Sequence, residues 1–354
     1  MSRSSRNALI NMAAFVVVVA GMKAAAALIV PFLLAIFLTI VSLPLLILLE
    51  KRGIPELASL LIILIIAVGV WFLLVILIGS ALGDFTKSVP FYQDRLRTII
   101  GDAWSWLDGY GITIDRAMLE DIFDPTRIMR LVTSTLNGLG GLMKNAFLIL
   151  LMYIFLVFEA TVLPLKIQAV SHDKKGALNS YSAITQGVNR YLAIKALTSL
   201  ATGTIVYLLL RFQGVDFPVL WGLLAFILNF IPNIGSLIAA VPPVLLALIQ
   251  FGPPQAIVTA VGFLTINTVI GSLIEPKVMG QGVGLSSLVV FLSLLFWGWI
   301  LGPVGMLLSV PLTMALKIAL SEYESTQWIS ILLGSNKDIL SYSQQLLSDK
   351  NKGG

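Results

Sequence analysis

Two groups of residues in this 354-residue chain could act on a solute, and both lie between Phe217 and Leu316. The first is a pair of charges, Glu275 and Lys277, separated by Pro276 and followed by Gln281; no other Asp, Glu, Lys or Arg occurs in that stretch. A carboxylate there could exchange a proton, and an ammonium could meet an anion. The second group is uncharged: Asn229, Pro232, Asn233, Gly235 and Ser236. Pro232 has no N–H and clashes with the carbonyl four residues back, at Leu228. Gly235 admits backbone that other residues avoid. Together they free carbonyls near Leu228 and leave amides unpaired near Ser236, where the helix dipole favours an anionic or hydroxyl-rich ligand. Asn229 and Asn233 stand four apart, and each offers two donors and an acceptor. A second break, at Gly302, Pro303 and Gly305, echoes the first without matching its spacing, and Asn267 lies in the unbroken segment between them. Each group also has a plainer reading. The Asn side chains would satisfy the broken backbone, Asn267 would join two helices, and Glu275–Lys277 would sit in an interfacial loop. Pro276 and the glycines at 280, 282 and 284 favour that loop for the charges. The uncharged breaks are therefore the candidate substrate contacts, and Glu275, Pro276, Lys277 and Gln281 a candidate gate or coupling element.

The elements that carry these residues belong in lipid. The chain is 58% hydrophobic and 12% charged, with a mean hydropathy of +0.96. A soluble domain carries about 25% charged residues, so this is an integral membrane protein. Irregular backbone at membrane depth survives only where protein or a water-filled cavity surrounds it, and broken helices so placed are a device of secondary transporters. Other chemistry is excluded. There is no cysteine and one histidine, His172, so thiolate metal sites, disulfides and cysteine nucleophiles are absent. No phosphate-binding G-x-x-x-x-G-K-[ST] loop occurs, no nucleophile–base constellation is present, and the basic residues form no stripe for nucleic acid. The chain reads as no enzyme and needs no cofactor.

Spanning a ~30 Å hydrocarbon core takes about 20 helical residues. Residues 8–49 hold two spans, with a break predicted near Gly21–Lys23. The first reads as a membrane helix rather than a cleaved leader, because apolar sequence resumes at once. A third span covers 57–82, a fourth 139–158 and a fifth 192–210, with a polar linker at 166–190. The fold class is all-α and polytopic, with about eight membrane segments. Five regions follow: N-terminal membrane helices (1–83), an amphipathic helical extramembrane arm (84–138), membrane helices with a cytoplasmic linker (139–216), a transport core (217–320) and a cytoplasmic tail (321–354). Asp124-Pro125 is a helix start, with Asp as N-cap and Pro at the first position. The Lys/Arg distribution places both termini inside. The broken segments 217–250 and 285–320 could each cross once or return as re-entrant hairpins. These alternatives put Glu275 and Lys277 on opposite faces, and the segment lengths favour hairpins.

Three stretches carry a resemblance: Trp221-Gly-Leu-Leu-Ala-Phe-Ile-Leu-Asn-Phe-Ile-Pro-Asn-Ile-Gly235, Glu275-Pro-Lys-Val-Met-Gly-Gln-Gly-Val-Gly-Leu-Ser286, and the run from Phe296 through Gly302-Pro-Val-Gly305 to Leu312. With the early Val30-Pro31-Phe32 helix and the arm, the chain resembles the autoinducer-2 exporter family along its whole length. The resemblance implies a bacterial inner-membrane homo-oligomer, a pentamer, that exports autoinducer-2 by an elevator-like movement of two re-entrant hairpins with tips at Pro232–Gly235 and Gly302–Gly305. Some members are assigned Na⁺(Li⁺)/H⁺ antiport, an alternative in which Glu275 would be the exchanging carboxylate. A membrane scaffold that transports nothing is the third reading, against which the broken helices argue.

Overall fold

A computed structural model of the chain describes residues 3–110, 124–170, 174–232, 234–279, 284–322 and 325–335. Every regular element among them is a helix. In chain order these are α1 (Arg3–Ala24), α2 (Ala26–Lys51), α3 (Glu56–Gly109), α4 (Pro125–Lys144), α5 (Ala146–Val170), α6 (Lys174–Gln213), α7 (Pro218–Leu228), α8 (Gly235–Phe251) and α9 (Pro253–Ile266). A π-helical segment (Asn267–Ile274) leads into α10 (Glu275–Met279), followed by α11 (Ser287–Ser321) and α12 (Gln327–Leu333). Six helices are long and apolar enough to cross a membrane, and three shorter apolar helices, Leu9–Ala24, Pro218–Leu228 and Gly235–Phe251, accompany them. Large apolar side chains such as Val17, Ile65, Ile76 and Phe155 stand open on the outside, as expected where the solvent is lipid. The protein is all-α and polytopic.

Several boundaries differ from the sequence expectation. The first break falls at Ala25, not at Gly21–Lys23. The helix that carries the third span continues past Leu82, through Pro90 to Gly109, so the expected span and the first part of the expected arm are one helix. Its polar side chains are satisfied within the helix: Ser80, Thr86 and Ser88 each donate to the carbonyl four residues back, at 2.8, 2.7 and 3.1 Å. Most of the expected linker at 166–190 is helical too, shared between the end of α5 and the start of α6. At Asp124 the expectation holds. Its Oδ1 accepts from the Thr126 amide at 2.8 Å, and that bond holds the carboxyl below its usual range.

The chain forms two compact units. One takes in Met1–Ile66, Phe147–Ala196 and Pro276–Gly354. There Val19 buries against Ile300 and Leu301, Lys23 Nζ lies 3.9 Å from the centroid of the Trp299 ring, and Ser42 and Tyr153 share a 2.8 Å hydrogen bond. α11 is two helices, because Gly302 takes φ +68° and breaks the run. Trp297 Nε1 donates to Thr313 Oγ1 at 3.0 Å. Sixteen residues of straight helix would hold those positions about 24 Å apart, so the chain must double back at Gly302.

The other unit takes in Ala67–Ala146 and Leu197–Glu275. α7 and α8 pack side by side, joined by residues 229–234. Phe217 enters α7 in the left-handed region at φ 57°, and Pro218 supplies the fixed φ suited to a first turn. The core joins Phe85, Tyr92 and Leu96 of α3 and Met129, Val132 and Leu136 of α4 to Trp221, Leu224 and Leu246. Phe85 meets the rings of Phe217 and Trp221 edge-on, at centroid distances of 5.7 and 5.5 Å. The expected arm is thus the wall against which α7 and α8 pack.

Two glycines set the closest approaches. A Cβ at Gly235 would fall 1.8 Å from the Leu228 carbonyl oxygen, and one at Gly305 would fall 2.0 Å from that of Trp297. Gly235→Ala should therefore cost about 1–3 kcal/mol or more. Gly79→Ala, where the added methyl meets nothing within 4 Å, should change stability by under about 0.5 kcal/mol. Thermal unfolding of the two purified variants compares them, and equal melting would contradict the close approach. At Asp124 a lowered folded pKa means the cap stabilises above the unfolded carboxyl value and is lost as pH falls through the folded one. The Thr126 amide resonance should titrate at that lowered pKa, and the titration should vanish in Asp124→Ala.

Candidate functional site

The uncharged break lies wholly within the second unit. α7 ends at Leu228 because Pro232 supplies no amide to continue it. The Leu228 carbonyl turns instead to the Ile231 amide at 2.9 Å and presses against the bare Cα of Gly235. Pro232 thus frees the carbonyl, and Gly235 makes room for it. Beyond the turn, the Pro232 carbonyl accepts from Ile234 at 2.7 Å. Asn229 is 6% exposed and donates from Nδ2 to Ser199 Oγ on α6 at 3.0 Å. Its amide ties the broken end to a neighbouring span through a side chain, rather than satisfying the broken backbone as the plainer reading of the Asn residues expected.

Ser236 and Asn267 are brought together. Both line a cavity of about 10 Å³ enclosed by Thr202, Val206, Ala225 and Phe263. That is room for about one water. Thr202 lies three residues after Ser199, so a helical face of α6 carries hydroxyls past the break. Asn267 opens the π-helical segment, with its Oδ1 3.2 Å from where a Cβ of Gly271 would stand. Rare π-helical turns frequently mark functional sites. Where α6 crosses α7, the backbones touch: a Cβ at Gly203 would fall 2.7 Å from the Gly222 oxygen. A separate groove of about 470 Å³ between α3, α6 and α7 is lined by apolar residues such as Leu74, Leu200 and Phe226, with little to hold a hydroxylated solute.

The remaining candidates fall elsewhere. Gly302, Pro303 and Gly305 form the break of α11 in the first unit. Glu275 begins α10 half-buried, while Pro276 and Lys277 are exposed. Two cations meet backbone carbonyls on either side of residues 280–283: Arg190 Nη2 on that of Met279 at 3.5 Å and Lys317 Nζ on that of Gly284. Asn233 and Gln281 lie outside the described residues. Among those described, no group of three or more His, Asp or Glu could hold a metal.

Reasoning from the sequence missed the polar residues of the fifth span. Ser199 is fully buried, and Thr198 and Thr202 are each 5% exposed. Lys195, also in that span but in the first unit, is 4% exposed. The signal was available for Lys195, since an ionisable residue inside an apolar span is a candidate by default. For Ser199 and Thr202 there was none, because hydroxyls are common in membrane helices.

A polytopic helical protein with two broken, doubled-back helices and an uncharged polar site beside one break has the build of a membrane transporter. Comparison with known proteins agrees. The profile of the AI-2E family transporter matches residues 12–325. A putative transport protein of Haemophilus influenzae is 42% identical over 336 residues, covering 93% of this chain and 97% of that protein. The AI-2 transport protein TqsA of Escherichia coli K12 is 40% identical over 324 residues, covering 91% and 94%. The putative transport protein YhhT of the same strain is 35% identical over 335 residues, covering 95% and 96%. This chain belongs to the AI-2E transporter family.

If the Asn229–Ser199 bond anchors the break, the two residues must be coupled. A cycle of Asn229→Ala, Ser199→Ala and the double variant should give an interaction energy of about 1 kcal/mol in unfolding measurements. A coupling of zero would show that the break is held by packing alone.

Proposed function

We propose that this protein exports autoinducer-2 across the bacterial inner membrane as a secondary transporter or facilitator, with α7–α8 and the two halves of α11 acting as re-entrant hairpins in an elevator-like movement. The observation that carries the reading is the convergence of Ser236 and Asn267 on one small cavity beside the Pro232–Gly235 break. Both side chains are uncharged hydrogen-bonding groups, suited to a small hydroxylated solute rather than to a bare cation. The 40% identity to TqsA over 94% of that protein supports the choice of cargo. Gly302, Pro303 and Gly305 provide the second tip, and Glu275, Pro276, Lys277 and Gln281 a gate or coupling element. Asn229, Pro232, Gly235 and Asn233 shape the first tip.

A cavity for one water cannot hold the cargo, so binding requires the hairpin to move away from α6 and α9. The Pro232–Gly235 turn is where α7 and α8 are uncoupled, so it is the place for this movement to hinge. In keeping with the family, the working form is a homo-oligomer, a pentamer.

The test is release of autoinducer-2 from proteoliposomes. Ser236→Ala combined with Asn267→Ala should lower the rate about tenfold, the equivalent of one to two lost hydrogen bonds, without loss of the folded oligomer. Wild-type release by that variant would remove the site. Sodium-dependent proton flux abolished by Glu275→Gln, without autoinducer-2 release, would replace export by cation/proton antiport.

A further inference from the structure

A second polar site lies in the same unit, away from the hairpin break. Asp216 stands in the short turn between α6 and α7, and its carboxylate joins three elements. Tyr92 of α3 donates to Oδ2 at 2.7 Å, and Gln250 at the end of α8 donates to the same oxygen. The Asp216 amide returns a bond to Gln250 Oε1 at 3.2 Å, and Trp221 Nε1 donates to the Asp216 carbonyl at 2.9 Å. Both side-chain bonds go to Oδ2, so Oδ1 remains an acceptor. Beside this network opens a groove of about 400 Å³ lined by Phe91, Arg95, Asp216, Ile249, Gln250 and Phe251. It holds one cation and one anion on a partly apolar floor.

The level of the groove is set by the ends of the spans. α6 stops at Gln213, α8 at Phe251, and the next span begins at Pro253. Phe91, Phe212 and Phe251 are 65%, 87% and 51% exposed there. Lipid-exposed backbone that leaves its helices, as it does at 214–217 and at Gly252, belongs outside the hydrocarbon core, at the headgroup layer. Arginine offers a planar fork that matches phosphate oxygens, while a carboxylate oxygen accepts from an ammonium N–H. An anionic lipid would satisfy Arg95 but face Asp216 with like charge, and a quaternary ammonium has no N–H to give. We propose that this groove binds the headgroup of an amine-bearing zwitterionic phospholipid, with Arg95 on the phosphate, Asp216 on the ammonium, and Phe91 and Phe251 against the glycerol and upper acyl chain. A lipid so held bridges α3 and the base of the α7–α8 hairpin through the same Asp216 that Tyr92 grips. This site does not depend on the identity of the cargo.

Native mass spectrometry of the full-length protein with equal amounts of phosphatidylethanolamine, phosphatidylglycerol and phosphatidylcholine of matched chains tests it. Phosphatidylethanolamine should be retained in preference to both. Asp216→Asn and Arg95→Gln should each cut that retention by about fivefold or more, the order expected for one charge-assisted bond; Asp216→Asn, which removes only the ammonium contact, should not lower retention of the other two lipids. Arg95 is exposed on a helix, so its variant folds even if Asp216→Asn loosens the turn. Equal retention of phosphatidylethanolamine and phosphatidylglycerol, or no effect of Arg95→Gln, overturns the proposal. So does displacement of the lipid by an equal concentration of free phosphoethanolamine, which would mark a site for a soluble zwitterion.

Discussion

A carbonyl that loses its helical partner inside an apolar surrounding must find another or be covered, and that constraint shapes the first break in this protein. At Leu228 the carbonyl is released by Pro232, takes the Ile231 amide and rests on the face of Gly235. At Trp297 the carbonyl lies as close to Gly305. In each case the residue that interrupts the helix is followed within a few positions by a glycine that lets the returning strand of backbone approach. The break and its cover are one local sequence unit. The surrounding helices then need only seal the sides, which the α6–α7 crossing at Gly203 and Gly222 does for the first hairpin. Buried hydrogen-bonding groups such as Asn229 and Ser199 complete the account, because an unpaired amide in a medium without water costs about 1–3 kcal/mol.

The breaks were legible from the sequence for that reason: Pro232, Gly235, Gly302 and Gly305 act on their own backbone, and their effect is local. What they would touch was not legible. Ser199 lies thirty residues from Asn229, and nothing about a serine in an apolar helix announces a partner that only tertiary packing supplies. The meeting of Ser236 with Asn267 has the same character. The continuity of α3 was not legible either: the polar residues from Gly83 to Pro90 mark a change of composition, yet the helix runs through them to Gly109. Lys195 lies inside the fifth span, and its burial at 4% exposure is set by tertiary packing, which the apolar run around it does not reveal.

The arm is where fold and function meet most directly. Its residues were read as extramembrane and amphipathic, and the apolar face of that pattern is the one that covers Trp221 and Leu246. The hairpin is therefore walled by a segment contiguous with the third span. Phe85 wedges between Phe217 and Trp221 at the foot of α7, where the backbone takes its only non-glycine positive φ among the described residues. Strain of this kind persists when surrounding contacts over-determine it, and here the contacts come from α3.

The π-helical segment has a mechanical consequence. Each i+5 closure carries more residues per turn than an α-helix needs, so the stretch from Asn267 to Ile274 stores slack in its winding. Rewinding one turn to α geometry would swivel the end of the segment about its own axis by about 100°, one residue's rotation, without breaking a peptide plane. Glu275 is the first residue beyond the slack. A group bound at Asn267 and a carboxylate two turns later would then be linked as a key and its bit are, by torsion along a shared shaft.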